Sequence, residues 1–131
     1  MTVAVRYYSR SGKTKAVADT IARAAGVEAI STDAPDATLA DRVDVLFVGG
    51  ALYAYGLDRN LSSYLGTLDA SKVGKAVLFS TSWLSKHALD LMRKELEARG
   101  ITVEDTTLYL RSGTVDSAEG QVREFAARFV A

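Results

Sequence analysis

Apolar runs and helical stripes alternate along this chain from one end to the other. Residues 2–8 are short, β-branched and aromatic, and predict a buried strand. Residues 14–25 put Val17, Ala18, Ile21, Ala22 and Ala25 on one helical face, and Gly26 stands where a helix C-cap glycine belongs. Residues 27–31 predict a second strand, and residues 36–41, after Pro35, a short helix. The run 43–50, VDVLFVGG, is almost continuously apolar, as an interior parallel strand covered on both faces must be. Asp58 is placed to cap a helix in which Leu61, Tyr64, Leu65 and Leu68 recur at helical spacing. Residues 75–80, KAVLFS, predict a fourth strand. Residues 85–98 predict a helix with Leu89, Met92 and Leu96 inward, closed by Gly100. A fifth strand follows over 101–110, and a last helix over about 115–130 carries Val115, Ala118, Val122, Phe125 and Phe129 on one stripe.

Strands alternating with helices predict an α/β fold: a five-stranded parallel sheet between two helical layers. Right-handed crossovers leave few topologies, and the common doubly wound order is 2-1-3-4-5, with strands numbered along the chain. In that order a ligand crevice opens at the carboxyl ends of strands one and three, where the chain changes direction. Those ends are residues 8–13 and 49–56, flanked by the loop after strand four, residues 80–85.

Composition narrows the picture. The 131 residues suit one domain over 1–131, and a chain of this size buries roughly two-thirds of its unfolded surface. Lys plus Arg equals Asp plus Glu at 16 each, with seven of each sign up to Leu65 and nine beyond, so neither half carries a patch for nucleic acid or a membrane surface. No apolar run reaches the ~18 residues of a bilayer span. The opening MTVAVRYYS reads as a strand and not as a signal peptide. With no Cys, disulfides, thiolate chemistry and Cys-ligated metals are excluded. The expectation is a soluble, cytoplasmic protein.

The first loop, YSRSGKT, ends like an ATP-binding P-loop, but the residue five before Gly12 is Tyr7, where that motif needs glycine. What remains is a short loop of hydroxyls and glycine leading into a helix, where free N–H groups and the helix dipole favour a phosphate. Ser9, Ser11 and Thr14 add hydroxyls, and Gly12 permits close approach. Arg10 and Lys13 either touch that phosphate or point to solvent. A plain helix cap at Ser11 is the alternative reading. The segment Ser9-Arg10-Ser11-Gly12-Lys13-Thr14 resembles the flavodoxin phosphate signature, Ser/Thr-x-Ser/Thr-Gly-x-Thr, with the two cations as a departure from a family that holds its FMN phosphate largely without them.

The second loop, Gly49 to Leu61, resembles the flavodoxin-family loop of Gly, Ser or Ala, an aromatic residue and a closing Gly that runs into the next helix. That likeness implies an FMN site. Ala51, Leu52, Tyr53, Ala54, Tyr55 and Gly56 would line the isoalloxazine ring, with Tyr53 or Tyr55 stacking and backbone groups meeting the N5 and O4 edge. A peptide at Ala54 or Gly56 would turn over on reduction, as in that family. The third loop, Ser80, Thr81, Ser82 and Trp83, would supply edge contacts and a second wall, although Trp83 could equally be a core residue at the start of a helix. His87, the one histidine, is given a surface or capping role. Residues 101–112 run straight through with no room for the extra segment of long-chain flavodoxins, so the resemblance is to the short-chain branch.

The resemblance implies an FMN-binding electron-transfer protein that serves a redox partner protein, with no catalytic side chain, no metal and no acid or base of its own. Two alternatives stand beside it: a flavin-dependent reductase or dehydrogenase of the protoporphyrinogen oxidase-related flavodoxin type, and a flavin-free interaction domain on the same fold. A phosphoacceptor receiver domain shares the strand order but needs acids after strands one and three, where this chain has Tyr-Ser-Arg and Gly-Gly-Ala.

Overall fold

Successive side chains of each strand fall on opposite faces of one sheet, and this period of two divides the core into two layers. In β3 (Val43–Gly50), Val45 and Phe47 face one layer while Leu46 and Val48 face the other. The computed structural model describes residues 1–53, 56–83 and 85–130. Its remaining elements are β1 (Val3–Tyr7), α1 (Lys13–Ala25), β2 (Ala29–Ser31), β4 (Leu52–Tyr53), β5 (Gly56–Leu57), α2 (Arg59–Thr67), β6 (Val73–Ser82), α3 (His87–Ala98), β7 (Leu108–Arg111) and α4 (Glu119–Ala127). Five strands form a parallel sheet in the order β2-β1-β3-β6-β7, which is the expected 2-1-3-4-5 once the small β4–β5 hairpin is set aside.

Helices α1 and α4 cover one face, where Phe47, Phe125 and Phe129 meet edge to face at centroid distances of 5.4–6.3 Å. Helices α2 and α3 cover the other, with Leu61, Leu65, Met92 and Leu96 against Leu46, Val48 and Leu78. Arg6, only 7% exposed, lies in β1. Its guanidinium donates from Nε to the Ala37 carbonyl at 2.7 Å and from Nη1 to the Val5 carbonyl at 3.1 Å. The Tyr64 hydroxyl donates to the same Ala37 oxygen at 2.6 Å. Together they tie the β2–β3 connection down onto the sheet.

Three expectations are corrected. The fifth strand does not run straight over 101–110. Val103 bridges Ala76, an offset of 27, whereas Leu108 pairs with Phe79, an offset of 29, so two extra residues bulge out within the polar stretch Glu104-Asp105-Thr106-Thr107. The stripe from Val115 to Phe129 is buried as expected, but its backbone is a 3-10 turn over Ser112–Ser117 followed by α4. The expected helix over 36–41 is a single 3-10 turn, Pro35–Ala37.

Gly49 and Gly50 owe their identity to packing. A Cβ on Gly49 would lie 2.0 Å from the buried Phe79 ring, and one on Gly50 would lie 2.3 Å from Leu61. Gly49→Ala is therefore expected to lower unfolding free energy by about 1–3 kcal/mol in denaturant titration. Adding Phe79→Leu should recover part of that loss, and strictly additive losses would contradict the packing account.

Candidate functional site

The chain leaves β1 and β3 side by side. Tyr7 lies opposite Gly49 in the sheet, and the Tyr8 amide donates to the Gly49 carbonyl at 3.2 Å. The first two loops therefore rise from adjacent strands and turn to opposite faces, one into α1 and the other into α2.

In the first loop the Gly12 amide donates to Ser9 Oγ at 3.0 Å, so Ser9 folds the loop onto itself. Gly12 takes φ +92°, a left-handed conformation that glycine adopts freely, and a Cβ there would meet nothing within 4 Å. No side chain caps α1 and no acid sits in its first turn, so its leading amides keep their donors and the positive end of the dipole is uncompensated. Ser11 is exposed and caps nothing, against the plain-cap alternative. Thr14 is buried and its hydroxyl meets that of Thr81 at 2.6 Å, which staples the start of α1 to the end of β6.

Both loop cations are partly exposed, and each lies beside a carboxylate. Arg10 hydrogen-bonds Asp58 Oδ2 through Nε at 2.9 Å and through Nη2, while its guanidinium lies 3.9 Å over the centroid of Tyr53. The Arg10 amide donates to the Tyr53 hydroxyl at 3.0 Å. Lys13 Nζ lies 3.7 Å from Asp116. Each cation of the first loop is thus matched by a carboxylate from elsewhere in the chain. Asp58 also accepts the Asn60 amide on its Oδ1 at 2.8 Å, capping α2 as expected. Burial works against ionisation at Asp58, but the Arg10 and Asn60 hydrogen bonds and the Arg10 charge hold its carboxyl below the usual range. The Asp58 hydrogen bond raises Arg10, and burial raises the Tyr53 phenol.

The second loop is a short antiparallel hairpin, with Leu52 opposite Leu57 and Tyr53 opposite Gly56. Sequence pattern misses it because two residues per strand leave no alternation to see. Ala51, Leu52, Tyr53 and Gly56 are all half-buried. Ala54 and Tyr55 lie outside the described residues. In the third loop the expectation is corrected at its start. β6 continues through Ser82, so Ser80, Thr81 and Ser82 are strand residues with buried side chains. Thr81 binds Thr14, Ser82 Oγ donates to the Ser85 carbonyl, and Ser80 Oγ has no partner among the described residues. The Thr81 and Ser82 hydroxyls thus serve the interior and the turn into α3. The exposed part begins at Trp83, which is 70% exposed, so the core alternative for it is excluded. His87 is an exposed residue in the first turn of α3, 4.0 Å from Asp90.

The residues missed by sequence reasoning are the counter-charges. Asp58 is legible as a helix cap, but its pairing with a residue 48 positions earlier is not. Asp116 carries no local signal at all.

Asp58→Ala, which removes both a cap and an ion pair, is expected to cost about 1–2 kcal/mol of stability at pH 7. Because the folded carboxyl titrates below its unfolded value, this contribution is present above about pH 4 and fades as pH falls through the folded-state value. Urea titrations of both proteins should therefore converge in acid, and a gap that persists at pH 2 would contradict the assignment.

Neither a protein-family model nor a curated protein sequence matches this chain. Solved structures do. The chain is similar to oxidised flavodoxin 2 from Bacillus cereus, at 21% identity and a TM-score of 0.74 over 98% of this chain and 100% of that one. It is similar to a short-chain flavodoxin associated with a bacterial microcompartment, at 16% identity and a TM-score of 0.74 over 97% and 95% of the two chains. It also matches rubredoxin oxygen:oxidoreductase from the anaerobe Desulfovibrio gigas, at 13% identity and a TM-score of 0.71, covering 96% of this chain and 36% of that one. Among the described residues no helix is long and apolar enough to cross a membrane. The strand order and these likenesses together establish a flavodoxin-like α/β/α fold.

Proposed function

We propose that this chain binds FMN at the carboxyl ends of β1 and β3 and acts as an electron-transfer protein for a redox partner protein. The observation that carries this reading is the uncapped start of α1: left-handed Gly12 with open space above it, free leading amides, and no acid in the first turn. Such an end takes a phosphate. The donor set fits: backbone amides of Lys13 and Thr14, the Ser11 hydroxyl, and hydroxyls of Ser9 and Thr14 that brace the loop from behind. With Arg10 and Lys13 matched by Asp58 and Asp116, the nest holds its anion by amides and dipole and not by a free cation.

The ring would lie beyond the phosphate, between Tyr53 and Trp83, with backbone groups from Ala51 to Gly56 at its polar edge. The exposed Trp83 is an apolar surface with no partner in the core, as a stacking wall would be. When bound, the flavin supplies the redox chemistry, and the chain binds, orients and screens it. Asp58, the carboxylate that Arg10 binds between these loops, is also engaged by Asn60, so nothing calls for it as a proton-transfer side chain. The absence of Cys and of any long apolar helix among the described residues supports a cytoplasmic setting.

One observation favours a second reading. Arg10 covers a face of Tyr53, as it would in a flavin-free domain whose loops bind a protein instead.

Trp83 is the single tryptophan, so its fluorescence reports on the site directly. Titration with FMN should quench it at micromolar ligand and bring up a bound flavin spectrum. Gly12→Ala disfavours the positive-φ turn by about 1 kcal/mol or more, so the free loop should relax out of it; FMN should then weaken roughly five-fold, with phosphate-free riboflavin unchanged. Absence of quenching with either ligand would favour the flavin-free reading.

A further inference from the structure

Arg10 is held in place by four contacts that converge on the ring wall. Its guanidinium lies 3.9 Å over Tyr53, well inside the reach of a cation–π contact. Its Nε and Nη2 both donate to Asp58, and its own amide donates to the Tyr53 hydroxyl. Asp58 is fixed, with a side chain 10% exposed and a cap bond to Asn60. The Arg10 side chain remains 55% exposed and makes no other bond among the described residues. Of the two charged partners, Asp58 is held by its cap bond and Arg10 is the exposed one.

Arg10 belongs to the first loop and covers a face of Tyr53 in the second, so a ring that stacks on that face from a phosphate held on the first loop must displace the guanidinium. We propose that Arg10 is a displaceable plug: in the ligand-free protein its guanidinium stands in for the flavin ring on Tyr53, and it must swing out to solvent before the ring can stack. The inference rests on the FMN reading above. It assigns Arg10 a threshold role: every ring must meet the same displacement cost, and a ligand that also carries a phosphate has binding energy at α1 to set against it. The plug thus lowers the affinity for every ring by one factor and leaves the ratio between FMN and phosphate-free flavins unchanged.

The plug predicts a pattern that a phosphate ligand would not produce. Displacement costs the same for any ring, so Arg10→Ala should tighten FMN and lumiflavin, the bare ring, by the same factor. That factor is about five- to ten-fold, the size of one exposed cation–π contact plus one exposed ion pair. Arg10→Lys, which keeps the charge but loses the flat fork, should fall between. In the ligand-free protein the Arg10 Nε–H resonance should be protected and shifted by the Tyr53 ring, and both effects should vanish on adding lumiflavin. If Arg10→Ala weakens FMN and leaves lumiflavin unchanged, Arg10 is a phosphate ligand and the plug is wrong. Equal affinities in all variants, or an Arg10 resonance that ignores bound ring, overturn the plug while leaving the FMN reading intact. If no variant binds either flavin, the FMN reading falls, and the plug falls with it.

Discussion

Parallel pairing of β1 with β3, with Tyr7 opposite Gly49, is the constraint on which the rest depends. It places two chain ends side by side and sends the following helices to opposite faces of the sheet. The gap between those diverging loops is where a doubly wound sheet offers a crevice. At the upper end of β3, side chains from its neighbours pack close against the backbone. Gly49 and Gly50 let Phe79 and Leu61 fill the space that a Cβ would claim, so β6 and α2 pack directly against β3. Glycines that resemble a ligand loop in the sequence are thus first of all part of the core.

Above that frame, charge is settled by tertiary structure. A loop with Arg10 and Lys13 looks cationic as a string, yet Asp58 and Asp116 return it to neutrality. The exposed ion pairs involved are individually weak, so their value lies in where they hold the side chains more than in stability. Asp58 shows this best. It caps α2, orients Arg10, and through Arg10 joins the first loop to the second. The apparent departure from a cation-poor phosphate loop becomes an arrangement that leaves the helix end as the free anion-attracting element.

Most of the fold was legible because its cause is local. The run 43–50 predicts β3 to the residue, Gly26 and Gly100 close α1 and α3 in the left-handed conformation, and Asp58 caps α2. The misses have non-local causes. The bulge before β7 reflects how Val103 and Leu108 dock on β6, and no periodicity within 101–110 reports it. The same holds for the site. The positions of the loops follow from strand order, but Thr14 meeting Thr81, or Arg10 meeting Tyr53 and Asp58, joins residues 43–67 positions apart. Ser80 to Ser82 read as a polar loop because hydroxyls are common there, whereas β6 buries them at its end.

The central claim is that one ligand engages the loops after β1, β3 and β6 together. The most direct test is to add FMN to isotope-labelled protein and map which backbone amide resonances move. The account predicts shifts concentrated at Ser9 to Thr14, Ala51 to Gly56 and Trp83, with the largest at the start of α1. Shifts centred instead on the cleft of about 320 Å³ between α1 and α4, lined by Asp19, Arg23 and Glu119, or no shifts at all, would contradict it.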